Sequence, residues 1–455
     1  MAEFNDREPQ LKPFGESWQD LTKLFAVRKS TGDDVPAIKK ALAFFRRASD
    51  NSSADALYKI GEAYSKGQGM PKDPAQAVLW WRDAAARGHA QAMMMLSVVH
   101  TIGVGVPKDL ALAKMWLKRA AREGDDKTHF TLAKAYGDVK NSPESREKSL
   151  AMLRLSAEEG NPEAQRDLAH KYADGQGVPK DPAKSLKWFR IAAEQGCAES
   201  QFNLGLAHII GQTVLKNSRE AFKWFQMAAD QGHAAAQFYL GTMHAHGDGV
   251  SRDYESAVKW FRRSAKQGNP NAQFSLAQMH ARGWGVPVNL DTARDWYQKS
   301  AAQGLAVAQQ ALGLLYAKGR SVPKNLAKAA NWHHNAAIQG NADAQYSLGL
   351  MFAKGQAVPK NPSQAARWFL LAANQGHEEA QYVVGILYAK GRGVPKNLPT
   401  AATWIKKAAW QGHLKAQFKM GIVCALARGV PFDPGQAVKW FLKWGSRTFL
   451  PTSLW

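Results

Sequence analysis

The chain has 455 residues, of which 45% are hydrophobic and 22% charged; these values are ordinary for a folded protein and exclude wholesale disorder. Sixty Lys and Arg against 38 Asp and Glu give a formal net charge of +22, which favours acidic proteins, nucleic acid or anionic membranes without choosing among them. Cys197 and Cys424 stand far apart, which excludes a disulfide framework or a zinc site built from cysteines alone.

The N-terminal segment, residues 1–49, is predicted to form a degenerate capping hairpin. Its helices are expected near 17–31 and 36–48, where Leu24 and Phe44 take the positions of Leu and Trp in the later copies. Atypical terminal units are expected in a repeat protein, because they close the open ends of the stack. The N-terminus carries acidic residues early and lacks the apolar region of a secretory signal.

Residues 50–445 repeat with a period of 36 residues. The clearest mark of the period is a tryptophan column, which only Met152 interrupts: Trp80, Trp116, Trp188, Trp224, Trp260, Trp296, Trp332, Trp368, Trp404 and Trp440. A fixed period of this length indicates one supersecondary unit that is copied and stacked. Stacked units form an extended surface, which usually binds a partner.

The copy from Ala236 to Gly268 shows how each unit is predicted to fold. Its first half has the i, i+3, i+4, i+7 pattern of an amphipathic helix, and a glycine-rich turn follows. The second helix begins after Asp or Asn, often followed by Pro, as at Asp181-Pro182, because such side chains cap the first turn. It ends at Gly268, a slot in which Gly recurs and which suits a left-handed C′ residue.

Glycine also recurs in the middle of the first helix, as at Gly241, although it costs about 1 kcal/mol relative to Ala there. We expect the close approach of the second helix to offset this cost, with the glycine beneath the Trp of its own hairpin. The Trp rings are predicted to be core residues between layers, since each can bury roughly 150–250 Å².

Two regions depart from the pattern. The copy around 125–160 lacks the usual turn glycines and the Trp, which leaves open a kink, a local contact site or simple drift. The last copy carries Trp440 and is followed by a C-terminal tail, 446–455.

The repeated units resemble the Sel1-like repeat family, as in AQYSLGLMFAKGQAVPKNPSQAARWFLLAANQG at 344–376. The resemblance spans about residues 50–445. It implies an all-α fold, a right-handed α/α superhelical solenoid of about twelve helical hairpins related to tetratricopeptide arrays, with the first helices on the concave side. It also implies an adaptor or scaffold for protein complexes.

The candidate binding groove consists of first-helix positions that vary between copies. Towards the C-terminus one such column becomes apolar, and we predict partner contacts at Tyr239, Leu314, Leu350, Val383, Ile386 and Ile422. An exposed row of this kind suits an amphipathic helix or an extended peptide. The alternative is packing between hairpins, and the apolar tail Phe449 to Trp455 could also fill the groove.

A second candidate surface is a lysine ridge formed by the turns. Its members are Lys72, Lys108, Lys180, Lys216, Lys324, Lys360 and Lys396. Such a ridge could follow a polyanion, whether nucleic acid or anionic membrane. The alternative is that each lysine is a solvated turn residue beside a capping Asp or Asn.

No catalytic or cofactor-binding motif stands out. The phosphate-binding G-x-x-x-x-G-K-[ST] motif and the zinc motif H-E-x-x-H are absent, and the G-x-G pairs fall in turns. Apolar stretches such as 90–106 are interrupted by Gly and Pro, which argues against a membrane span. We therefore expect a cytoplasmic, non-enzymatic protein without cofactor or metal, whose partner is an acidic protein or presents an amphipathic segment.

Overall fold

The computed structural model describes residues 53–68, 71–137, 143–211 and 213–448. These residues form 22 helices, α1 to α22, and no strand, which confirms the predicted all-α fold. The chain divides into two compact units, Met1–Lys216 and Asn217–Trp455. The hairpin predicted at 17–31 and 36–48 and the tail residues 449–455 lie outside the described residues.

The described part of the first unit contains α1 to α9, in which odd-numbered helices are the first of each hairpin. Their bounds are α1 Ala54–Lys66, α2 Pro74–Ala86, α3 Ala90–Ile102, α4 Leu110–Glu123, α5 Asp126–Gly137, α6 Pro143–Glu158, α7 Pro162–Asp174, α8 Pro182–Glu194 and α9 Ala198–Ile210.

The second unit contains α10 to α22. Their bounds are α10 Ser218–Asp230, α11 Ala234–His246, α12 Tyr254–Lys266, α13 Pro270–Arg282, α14 Leu290–Ala302, α15 Ala306–Lys318, α16 Leu326–Ile338, α17 Ala342–Lys354, α18 Pro362–Asn374, α19 Glu378–Lys390, α20 Leu398–Gln411, α21 Leu414–Ala425 and α22 Pro434–Thr448. Helix α22 therefore extends three residues beyond 445, where the repeat region was predicted to end.

Local signals set the ends of the helices as predicted. The Asp253 carboxylate accepts hydrogen bonds from the backbone N–H groups of Glu255 and Ser256 at the start of α12. First helices typically end at a left-handed glycine, for example Gly247 with φ of 81°, whereas α21 ends at Leu426 with φ of −111°. The glycines in the slot after the second helix are also left-handed except Gly124, whose φ is −76°. The assignment of that slot to a C′ residue is therefore confirmed, apart from Gly124.

The mid-helix glycines lie beneath a large side chain of the second helix, but the prediction that this side chain is the Trp of the column is wrong. A Cβ built on Gly349 would lie 2.8 Å from Cδ1 of Phe369, the residue after Trp368. The same relation holds for Gly61 with Trp81, Gly241 with Phe261, Gly313 with His333, Gly385 with Ile405 and Gly421 with Phe441. Successive residues of a helix point about 100° apart, so the residue after the tryptophan faces the glycine and the tryptophan faces elsewhere.

The tryptophan column packs between neighbouring repeats. Trp404 of α20 contacts a cluster that includes Phe369 of the preceding hairpin and Val384 of its own first helix. Most of these rings are only half-buried, whereas Trp440 is 5% exposed. Lys407 Nζ lies 4.3 Å from the Trp404 ring centroid, a cation–π contact that recurs along the column. The predicted role between layers is confirmed, although burial is incomplete.

A ladder of glutamines joins consecutive repeats. The Gln237 side-chain amide donates to the Ala229 carbonyl at 3.1 Å, and Gln267 of the next second helix donates to Gln237 Oε1 at 2.8 Å. The pattern recurs at Gln165, Gln273, Gln309, Gln345 and Gln381. Each glutamine thus adds a side-chain donor to a carbonyl at the end of the preceding second helix, where intrahelical donors are few.

The copy around 125–160 replaces this glutamine pair with an ionisable one. His129 takes the Gln237 position, and its Nδ1 lies 2.7 Å from Glu159, which takes the Gln267 position. Its Nε2 lies 3.1 Å from the Ala121 carbonyl, so the inter-repeat link is kept. The departures from the pattern at Gly124 and His129 mark this copy as structurally distinct.

Candidate partner-binding surface

The predicted groove residues of α15 to α21 lie on first helices with part of each side chain exposed. Leu314 is 39% exposed, and Leu350, Val383, Ile386 and Ile422 are half-buried. We call these five residues the apolar row. Because none is fully buried, packing within the fold leaves a share of each side chain that a partner could still cover.

The apolar row also contributes to packing between hairpins. Leu350 and Val383 contact the same core cluster, which includes Phe369 and Val384. Ile386 contacts the next cluster along the chain, around Trp440. Partner contact and hairpin packing, which the sequence could not separate, are thus compatible at these positions.

Tyr239 lies on α11, apart from the apolar row. Its ring stacks on Phe225 with centroids 5.1 Å apart, and it is half-buried. The corresponding positions on α13, between Tyr239 and the apolar row, are polar, namely Ser275 and Gln278. The predicted groove therefore changes from aromatic and polar on α11 and α13 to apolar from α15 onwards.

A buried polar chain that the sequence reasoning missed connects α15, α16 and α17. His333 Nδ1 lies 2.6 Å from Gln310 Oε1, and the Gln310 amide donates to Ser347 Oγ at 3.1 Å. Burial lowers the pKa of His333 to about 4. The sequence did contain a sign of this polar chain: His333 replaces the aromatic or aliphatic residue that the other hairpins place over the glycine.

The lysine ridge is exposed in both units. Lys72, Lys108, Lys180 and Lys216 belong to the first unit, and Lys324, Lys360 and Lys396 belong to the second. None of the seven forms an ion pair with a carboxylate within the described part of the chain. Their stems pack on the turn, since a Cβ built on Gly355 would lie 3.1 Å from Lys360 Cβ. The lysines are thus both turn residues and unpaired surface cations.

The basic charge lies largely outside the first helices of this region. Helix α12 carries Lys259, Arg262, Arg263 and Lys266 against Glu255, whereas α11 carries no Lys, Arg, Asp or Glu. Second helices and turns therefore dominate the positive field around the groove positions of α11.

No metal centre or membrane helix is found where the structure is described. The described residues contain no group of three or more His, Cys, Asp or Glu side chains that could hold a metal ion. Cys197 is half-buried and Cys424 is buried, and both are free thiols. None of the described helices is long and apolar enough to cross a membrane.

The repeat geometry corresponds to a known family model, the Sel1 repeat. It matches residues 25–53, 54–89, 90–125, 162–197, 198–233, 234–269, 270–305, 306–341, 342–377, 378–413 and 414–447. The chain belongs to the Sel1 repeat family. The stretch 126–161, which contains Gly137 and the His129–Glu159 pair, is the break in the Sel1 matches.

Solved Sel1 proteins resemble this Sel1-repeat chain over most of its length. Protein c5321, a protective antigen of uropathogenic Escherichia coli strains with an SLR fold, is 32% identical, covering 90% of this chain and 91% of that chain with a TM-score of 0.76. A Sel1 repeat protein from Oxalobacter formigenes is 35% identical, covering 67% and 88% respectively with a TM-score of 0.53. No curated protein matches the chain. The Sel1 solenoid is a fold commonly used for protein–protein interaction and is typically a non-catalytic scaffold.

Proposed function

We propose that this Sel1-repeat chain is a non-catalytic adaptor that binds a segment of a partner protein through the concave surface of its solenoid. The partly exposed apolar row carries the proposal. Leu314, Leu350, Ile386 and Ile422 occupy equivalent positions on consecutive first helices from α15 to α21, as a bound helix or extended segment would require. Val383 precedes Ile386 by three residues on α19. We take the cytoplasm as its compartment, as the sequence predicts.

Each residue of the apolar row can contribute modestly to the free energy of partner binding. Full burial of a Leu or Ile side chain contributes roughly 1.5–3 kcal/mol, so covering the exposed 39% of Leu314 contributes on the order of 1 kcal/mol. Five such residues on four consecutive first helices suit a moderate-affinity interaction. The basic second helices and turns would speed the capture of an acidic partner.

The test combines Leu350→Asp with Ile386→Asp. The matched control is Ile338→Asp with Leu371→Asp, since these side chains are 64% and 40% exposed on the second helices α16 and α18. A partner is first identified by affinity purification at physiological salt after nuclease treatment, and is then purified for titration.

We expect the groove pair to weaken partner binding by about tenfold or more and the control pair to leave it unchanged. Equal affinity of the groove variant and the wild type would remove the groove proposal.

A polyanion is the second candidate, favoured by the exposed and unpaired lysine ridge. Nucleic acid or anionic lipid would bind with a steep salt dependence, and each phosphate contact contributes a slope of about 0.7–0.9 in log affinity against log salt. Changing Lys324, Lys360 and Lys396 together to Glu should reduce that slope. No retention on heparin, or a flat salt response, would exclude this candidate.

A further inference from the structure

A cavity of about 420 Å³ lies among α11, α12 and α13 in the second unit. Phe238, Phe261 and Met279 form its apolar lining. This volume falls in the range of about 300–1,000 Å³ that is typical of ligand sites, which also tend to be mainly apolar with a few polar groups.

The first helices also contribute polar side chains to the cavity. Thr242, Ser275 and Gln278 line it at the groove positions of α11 and α13. The side chains of Ser275 and Gln278 make no hydrogen bond within the described residues. They are therefore available to a bound backbone.

A pair of stacked aromatic side chains forms the rim on the side of the turns. The rings of Tyr254 and Trp284 lie 5.4 Å apart with an interplanar angle of 13°. Arg252 lies 5.7 Å from the Tyr254 centroid, and Arg282 lies 4.6 Å from the Trp284 centroid. Neither arginine has a carboxylate within ion-pair distance in the part of the chain that the structure describes.

The repeat itself shows that folding does not require this aromatic pair. Equivalent positions two repeats later hold Leu326 and Gln356, and the first helices before them end at the same left-handed glycine. No other copy in the described region places an aromatic residue at either position. Two aromatic residues from successive repeats thus meet once, beside a cavity and two unpaired arginines.

We propose that this cavity is a specificity pocket for an acidic segment of the partner protein. One apolar side chain of the segment enters between Phe238 and the Tyr254–Trp284 pair. Carboxylates on either side of it pair with Arg252 and Arg282, and its backbone bonds to Ser275 and Gln278. The inference rests on the proposed partner-binding function and adds the chemistry of the ligand. Charge complementarity favours an acidic segment as the ligand, because the rim presents two arginines without a carboxylate partner.

The test uses the full chain and a displayed library of short random peptides. Selected peptides are synthesised with a fluorophore and titrated by anisotropy against wild-type protein and the double variant Arg252→Glu, Arg282→Glu. The matched control is Lys324→Glu with Lys354→Glu, which makes the same charge change at the same repeat positions two repeats later. Circular dichroism and thermal unfolding establish that each variant is folded.

We expect selection of peptides that combine Asp or Glu with one large apolar residue. The arginine variant should bind them about tenfold or more weakly, whereas the lysine control should bind with nearly wild-type affinity. Replacing the apolar residue of the peptide with Ala should also abolish most of the affinity.

A further variant, Trp284→Arg, leaves Arg252 and Arg282 in place and adds one positive charge, but removes the aromatic wall. Arg320, Arg392 and Arg428 stand at the same turn position in other copies, so the variant is expected to fold. It should also weaken the selected peptides. Unchanged binding would overturn the aromatic part of the pocket and with it the inference.

The remaining outcomes separate the inference from the function on which it rests. Peptides that lose affinity only with Leu350→Asp and Ile386→Asp would support the groove and overturn the pocket. Equal weakening by the arginine variant and the lysine control would indicate general charge attraction and overturn the pocket. If no acidic peptide is selected, the pocket inference is overturned. Peptides that respond to neither the groove pair nor the arginine pair would overturn both.

Discussion

We predict that His333 makes the stability of the second unit depend on pH. The imidazole is 2% exposed and lies against Gly313, and burial lowers its pKa from 6.5 to about 4. A group with a depressed pKa in the folded state stabilises that state above its unfolded pKa. The stabilisation is lost as the pH falls from 6.5 towards 4, because the unfolded chain then binds the proton more readily.

The size of the effect follows from the two pKa values. With 6.5 for the unfolded chain and about 4 for the folded one, the stabilisation lost on going from pH 8 to pH 5 is about 2 kcal/mol. Most of the change should occur below pH 6.5. The Gln310 contact to Nδ1 does not offset it, because protonation places the new charge in the same buried site.

The assay compares wild type with His333→Phe. Phe261 and Phe369 occupy the equivalent position, so Phe is expected to fit over Gly313. Urea unfolding followed by tryptophan fluorescence at pH 8, 6.5 and 5 gives the free energy of unfolding of both chains. The variant loses the bond to Gln310 at every pH, but its stability relative to wild type should rise by about 2 kcal/mol between pH 8 and pH 5. Parallel pH curves would refute the reasoning.

Three further predictions concern the repeat unit itself, each checked by chemical unfolding. Gly349→Ala should lower the free energy of unfolding by about 1–3 kcal/mol, since the new Cβ would lie 2.8 Å from a Phe369 ring atom. An unchanged unfolding midpoint would contradict this packing. His377→Ala should lower the free energy of unfolding by about 1 kcal/mol, because the hydrogen bond from Ala380 N–H to Nδ1 is lost. His377→Asn should leave it nearly unchanged, because Asn341 caps the preceding first helix in the same way. Gln345→Ala should lower the free energy of unfolding by about 1–3 kcal/mol, because it removes the hydrogen bond to the Ala337 carbonyl and the acceptor of the Gln375 amide. A smaller loss would indicate that the ladder is dispensable.

Features that depend on near neighbours in the chain could be predicted from the sequence. The Asn361 cap, the left-handed Gly355 and the 36-residue period all follow from the conformational preferences of a few adjacent residues. The apolar row could also be predicted, because the period aligns equivalent positions on successive first helices. The sequence alone could not show what fraction of the Leu314 or Leu350 side chain is covered when neighbouring repeats pack together.

The sequence by itself therefore determined the helices, their ends and their register. The tertiary structure decided that Phe369 rather than Trp368 covers Gly349, because a rotation of about 100° per residue assigns adjacent side chains to different neighbours. It also brought together Tyr254, at the start of a second helix, and Trp284, in the turn of the next repeat. Such contacts depend on how helices rotate and stack, which the spacing of residues along one repeat does not specify.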